Sequence, residues 1–200
     1  MNSKQCIQIF NQSIQDYHIK DDVATPIENP FQENTIEALL YLKNWVDTVQ
    51  WHYEDIIRDP EIDPVVGMEL KRKIDKSNQH RTDLVEKIDD FYIEQFKGVG
   101  VKESATLNTE SPAWVIDRLS ILCLKIYHMQ EQVDRVDVSD SHRLQCEGKL
   151  AILKEQEIDL SNSFDQLLND FEKGNKKIKV YRQMKMYNDD DLNPILYKNK

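Results

Sequence analysis

His52, Asn78 and Arg81 stand where the helical periodicity of this chain asks for apolar side chains. His52 interrupts Ala38, Leu42, Trp45, Val49 and Ile56. Asn78 and Arg81 interrupt Leu70, Ile74, Val85, Ile88 and Tyr92. A polar group removed from water must find a partner or cost free energy, so the three are predicted to face one another or a ligand. The chemistry open to them is anion recognition: a guanidinium grips a carboxylate or phosphate bidentately, an amide orients it, and an imidazole serves as acid, base or polar contact. Asp55 lies one helical turn from His52. Arg118 and Lys125, a heptad apart on a later helix with Trp114 near the same line, can complete an anion pocket, while Asp117 and His128 are expected on the opposite face. The candidate ligand-binding set is therefore His52, Asp55, Asn78, Arg81 and Arg118.

Two other uses of the same residues stay open. One is a buried network that sets helix register, with Arg81 paired to Asp75 or Asp55 and His52 donating to a carboxylate. The other is a metal site from His52 with Asp55, or from Glu86 with Asp89, serving metal-dependent phosphoryl-bond hydrolysis. Carboxylate-bridged bundles carry Glu-x-x-His on two helices, whereas this chain has His-x-x-Asp once. Helical nucleotide pyrophosphohydrolases pair two acidic motifs; Glu86-x-x-Asp89 fits the second, but Ile57 stands three after Glu54 and breaks the first. There is no glycine-rich phosphate loop, no nucleophile elbow and no cysteine set beside a histidine in basic surroundings. No catalytic residue, metal or cofactor is assigned.

The elements that position these groups are helical. Five Gly and six Pro in 200 residues, with 31 % charged residues in long periodic segments, exclude collagen, disulfide scaffolds and turn-rich sandwiches. A first helix spans 2–17. Pro26 and Pro30 mark a connector over 25–33, and a second helix runs from about Thr35 to Arg58 after a capping-box-like Asn34 and Glu37. Asp63-Pro64 starts a third of over thirty residues, ending near Gly98. After a 98–110 connector, Ser111-Pro112 starts a fourth that is apolar on two sides and so the most central. Ser139 and Asp140 start a fifth, whose seam from Cys146 to Phe171 keeps heptad spacing with Glu157 as its one flaw. Gly174 caps it, residues 173–187 form a short last helix, and 188–200 an irregular tail. The expected fold is one all-α domain, an antiparallel bundle of about five long helices with a short C-terminal helix. An exposed seam would mediate homodimerisation.

The net charge is −10, from 26 basic and 36 acidic residues. Six of the cations, Lys173, Lys176, Lys177, Lys179, Arg182 and Lys185, fall in 173–187 without an acid, which leaves −16 on the remainder. Such a body repels nucleic acid and anionic lipid; the basic stretch could dock an acidic partner. The longest apolar run is Ile121 to Leu124, so no membrane span or signal segment is expected, and three scattered cysteines read as reduced thiols of a cytoplasmic protein.

Four stretches, Trp51-His52-Tyr53-Glu54-Asp55-Ile56-Ile57-Arg58, Lys71 through Asp83, Asn108 through Ser120 and Tyr181 through Asn188, together resemble an uncharacterised bacterial domain-of-unknown-function family, over nearly the whole chain. The resemblance implies an association with envelope-sugar gene sets rich in glycosyltransferases, and places no catalytic role on any residue. The function expected is binding of a small anionic metabolite, a phosphorylated sugar or nucleotide-sugar, as an accessory to sugar transfer.

Overall fold

The computed structural model describes residues 1–186 and 189–198. Its elements are α1 (Ser3–His18), α2 (Ile36–Ile56), α3 (Pro64–Phe96), α4 (Pro112–Asp134), α5 (Asp140–Glu172) and α6 (Pro194–Tyr197). Start signals operate as their chemistry requires. Asp63 accepts from Val65 and Val66 ahead of Pro64, and Ser139 accepts from His142. Asn2 and Gln5 form a reciprocal capping box at α1 that periodicity alone does not reveal. The cap of α2 is Thr35 rather than Asn34: the Thr35 hydroxyl accepts from Ala38, and Asn34 turns the chain with φ +64°.

α4 packs against all four other long helices, the central place its two apolar faces imply. Helix direction follows from the contacts. Asp47 meets Arg81 and Gln50 meets Asn78, so α2 and α3 are antiparallel; Arg81 meets Asp117 and Asp89 meets Ala113, so α3 and α4 are too. α1 and α2 instead run the same way, Ser13 meeting Tyr41, Tyr17 meeting Trp45 and His18 meeting His52, and α4 follows them. The proline-bearing connector makes this possible by returning the chain along the bundle. Phe31 packs on the Tyr41 ring and the Asn29 amide donates to the Ala38 carbonyl.

The α5 seam is spent inside the molecule: Cys146, Leu150, Phe164, Leu167 and Phe171 are buried. Glu157, its flaw, accepts from the Cys123 thiol, and burial raises its carboxyl. Cys6, Cys123 and Cys146 are buried free thiols. No helix among the described residues is long and apolar enough to cross a membrane.

The basic segment is not the short helix its amphipathic pattern predicts. Lys176 pairs with Thr106 in an isolated parallel bridge, and the chain then runs extended over α3, where Arg182 meets Glu86 and Asp90 and the Lys185 ammonium donates to the Asn78 carbonyl at 3.1 Å. An extended chain lets these cations reach acids spread along α3, an ion-pair gain that a free-standing basic helix lacks. The short helix falls later, at α6. Tyr187, Asn188, Asn199 and Lys200, parts of the predicted helix and tail, lie outside the described residues.

Two positions are sensitive. Gly174 follows α5 with φ +66°, and a Cβ there would lie 2.2 Å from the Gly100 carbonyl oxygen. Gly174→Ala should therefore lose stability beyond the roughly 1 kcal/mol of a left-handed alanine, read as a lowered urea midpoint. Asp89 is buried, accepts from the Ser111 hydroxyl at 2.7 Å and the Ala113 amide at 3.1 Å, and burial raises its carboxyl from the ordinary 3.8. The folded state thus holds a proton more tightly than the unfolded chain. Its stabilising contribution is full below the unfolded value and lost as pH rises through the raised one. In urea titrations from pH 7 down to pH 4, wild type should gain stability relative to Asp89→Asn.

Candidate functional site

The centre of the bundle holds two cations and two carboxylates. Lys43, with a fully buried side chain, pairs with Asp47 one turn along α2 and reaches Asp117 of α4 at 2.6 Å. Arg81 of α3 donates through Nε to Asp47 at 2.5 Å and through Nη2 to Asp117 at 3.2 Å. The Ser120 hydroxyl donates to Asp47 at 2.5 Å and accepts from the Asn44 amide at 2.9 Å. A lone buried charge costs several kcal/mol, whereas here each faces two of opposite sign. Burial opposes the Arg81 charge, but Asp47 and Asp117 outweigh it and raise the guanidinium pKa.

Arg81 keeps 22 % of its side chain exposed, where it lines a cleft of about 500 Å³. Gln50, Trp51, Asp55, Arg58 and Asn78 share its walls. The Gln50 amide donates to Asn78 Oδ1 at 2.8 Å, while Gln50 Oε1 is buried without a hydrogen-bond partner among the described residues. At the rim Arg58 pairs with Glu54 at 2.8 Å. The cleft thus offers the far end of a guanidinium, a carboxylate and an indole wall, the mixture of few polar groups and apolar surface that small-molecule sites use.

Of the predicted residues, the structure brings Asp55, Asn78 and Arg81 to this cleft and sends two elsewhere. His52 lies with His18 and His128, its Nε2 3.3 Å from His18 Nε2. Burial lowers its pKa, the neighbouring imidazoles add to that, and Asp21 and Asp55 oppose it. Among the described residues these three imidazoles form a cluster able to hold a metal. Arg118 is exposed, ion-paired with Glu110, and lines a separate groove between α4 and α5 beside Asp117 and Lys125.

The partners of Arg81 differ from those expected. Asp75 pairs with Lys71 on the exposed side of α3, and Asp55 gives way to Asp47 and Asp117. Asp117 faces Lys43 and Arg81, and α2 buries Lys43, Asn44, Asp47, Thr48 and Gln50 beside Leu40, Tyr41 and Trp45. The readable signal was there: 43, 47 and 50 recur at helical spacing, as do Asp117 and Ser120. Glu86 and Asp89 are each engaged by other partners. Glu86 meets Arg182 and Asp89 caps α4.

The fold and cleft define a helical bundle with a buried charge network under an open polar pocket. The chain belongs to the DUF4254 family of proteins of unknown function, whose model matches residues 37–180. No curated protein and no solved structure gives a significant match. The matched region takes in the charge network, the cleft, His52 and His128; His18 precedes it.

Removing Lys43 leaves Asp47 and Asp117 sharing the single charge of Arg81, with one negative charge uncompensated in the interior. Lys43→Met should destabilise the protein by about 3–5 kcal/mol, measured by urea denaturation at pH 7.

Proposed function

We propose that this protein binds a small anionic, hydroxyl-bearing metabolite, of the phosphorylated-sugar or nucleotide-sugar class, in the cleft between α2 and α3, as an accessory to sugar transfer. The observation that carries the reading is the convergence, in one pocket, of the partly exposed Arg81 guanidinium with Arg58, Asp55 and Trp51. A phosphate oxygen can take the remaining Arg81 donors and those of Arg58. A ligand hydroxyl can donate to Asp55, and the indole gives a sugar ring an apolar wall. Asp47 and Asp117 hold the guanidinium in place before ligand arrives, which lowers the entropic cost of binding. The buried free thiols fit a reducing compartment, and we place the protein in the cytoplasm.

Thermal-shift titration with inorganic phosphate, hexose phosphates and nucleotide-sugars tests this. Ligand at 100 times its Kd stabilises the native state by about 2.7 kcal/mol, so a clear rise in Tm is expected with at least one of these probes. Asp55→Ala and Arg58→Ala should each weaken that binding about tenfold or more, the equivalent of one lost hydrogen bond to a charged group. No shift with any of them, or equal shifts in wild type and both variants, rejects the reading.

A further inference from the structure

His18 ends α1, His52 lies near the end of α2 and His128 is on α4, and the shared direction of these three helices brings the imidazoles together at one end of the bundle. Their ring centroids form a triangle with sides of 5.3, 5.3 and 5.6 Å, and one nitrogen from each ring lies within 4.8 Å of the others.

The hydrogen bonds decide which nitrogens carry protons. His18 Nδ1 lies 2.7 Å from the Ile14 carbonyl, which can only accept, so Nδ1 bears the hydrogen and Nε2 is left with its lone pair. His128 Nδ1 lies 2.8 Å from the Glu131 carboxylate, which gives the same tautomer. His128 Nε2 is then a bare acceptor, and it is buried with no hydrogen-bond partner among the described residues. Without a metal, His52 Nε2–H can donate to His18 Nε2 across their 3.3 Å separation, but this leaves the His128 lone pair unanswered. One cation answers all three. The 3.3 Å separation also suits two imidazoles on one tetrahedral ion, since Zn–N bonds of about 2.0–2.1 Å place the two nitrogens roughly 3.3 Å apart.

The surroundings are those of a ligand set. Binding imidazoles commonly donate their other N–H to a carbonyl or carboxylate, the roles of Ile14 and Glu131 here. Tyr17 stacks on His52 at 5.1 Å, Trp51 on His128 at 4.9 Å, and Tyr127 lies over His18 at 4.4 Å, so the rings have little room to turn away. Asp21 brings a carboxylate oxygen to 3.6 Å from His52 Nε2 and 4.0 Å from His18 Nε2, and it is exposed. It brings negative charge to the solvent side of the cluster and is placed to offer a fourth ligand. Three neutral nitrogens with one oxygen favour a borderline divalent ion over magnesium or calcium, which take oxygen ligands.

We propose that His18, His52 and His128 form a zinc-class metal site, with Asp21 or a water in the fourth position. This is independent of the cleft reading: the three ligands lie outside that cleft, and its test uses none of the same variants.

The test is equilibrium dialysis of the full-length protein against Zn²⁺, with Co²⁺ absorption as a second measure. Wild type should bind one Zn²⁺ per chain and give the intense visible bands of tetrahedral Co²⁺. His18→Ala and His128→Ala should each weaken binding about 100-fold or more, Glu131→Gln, which leaves the ligands intact, by about 10–100-fold, and His80→Ala and His142→Ala not at all. Circular dichroism identifies any variant that fails to fold. The Co²⁺ spectrum of wild type stands without variants, and weak octahedral bands there would overturn the assignment. So would the absence of stoichiometric Zn²⁺ in wild type, or full retention of binding in a folded His18→Ala/His128→Ala double variant.

Discussion

Everything near the centre of this molecule answers to one electrostatic requirement, that Lys43, Asp47, Arg81 and Asp117 leave water together. Each charge alone would be intolerable in the interior, and the four come from three helices. The rotation of α2 about its axis, the register of α3 against it and the depth of α4 are therefore a single choice. An apolar core accepts neighbouring packings of similar energy; a charge quartet with paired hydrogen bonds accepts far fewer. The cleft inherits this order, because its floor is the outer edge of the quartet.

Periodicity and punctuation give the helices well. The starts at Asp63-Pro64 and Ser139 and the central place of α4 follow from residue types with simple roles, as does the turn at Gly174. What periodicity cannot give is the face on which a polar residue is buried by its partners. Ala38, Leu42, Trp45 and Val49 suggest one orientation of α2; Lys43, Asn44 and Asp47, tied to Ser120, Asp117 and Arg81, impose another. The same limit applies to His52. Its inward placement was readable, but its neighbours His18 and His128 come from helices far away in sequence, and only the co-directional path of α1, α2 and α4 brings them within reach. Asn78 and Arg81, one turn apart on a single helix, needed no such crossing.

The extended basic segment has the same lesson in reverse. Its amphipathic spacing suggests a helix, yet Arg182 and Lys185 find acceptors along α3 only when the chain is drawn out. Long-range charge pairing prevails over local propensity where the helix would have been short and isolated in any case.

α4 has no cap of its own. The Ser111 side chain makes no hydrogen bond to the turn it precedes; Asp89, from α3, accepts from both Ser111 and Ala113. The innermost helix therefore cannot complete its opening turn from local sequence, and its amide protons there stay exchangeable until α3 has docked. Hydrogen exchange at Ala113 therefore reads the docking of α3 on α4 rather than the growth of α4 alone.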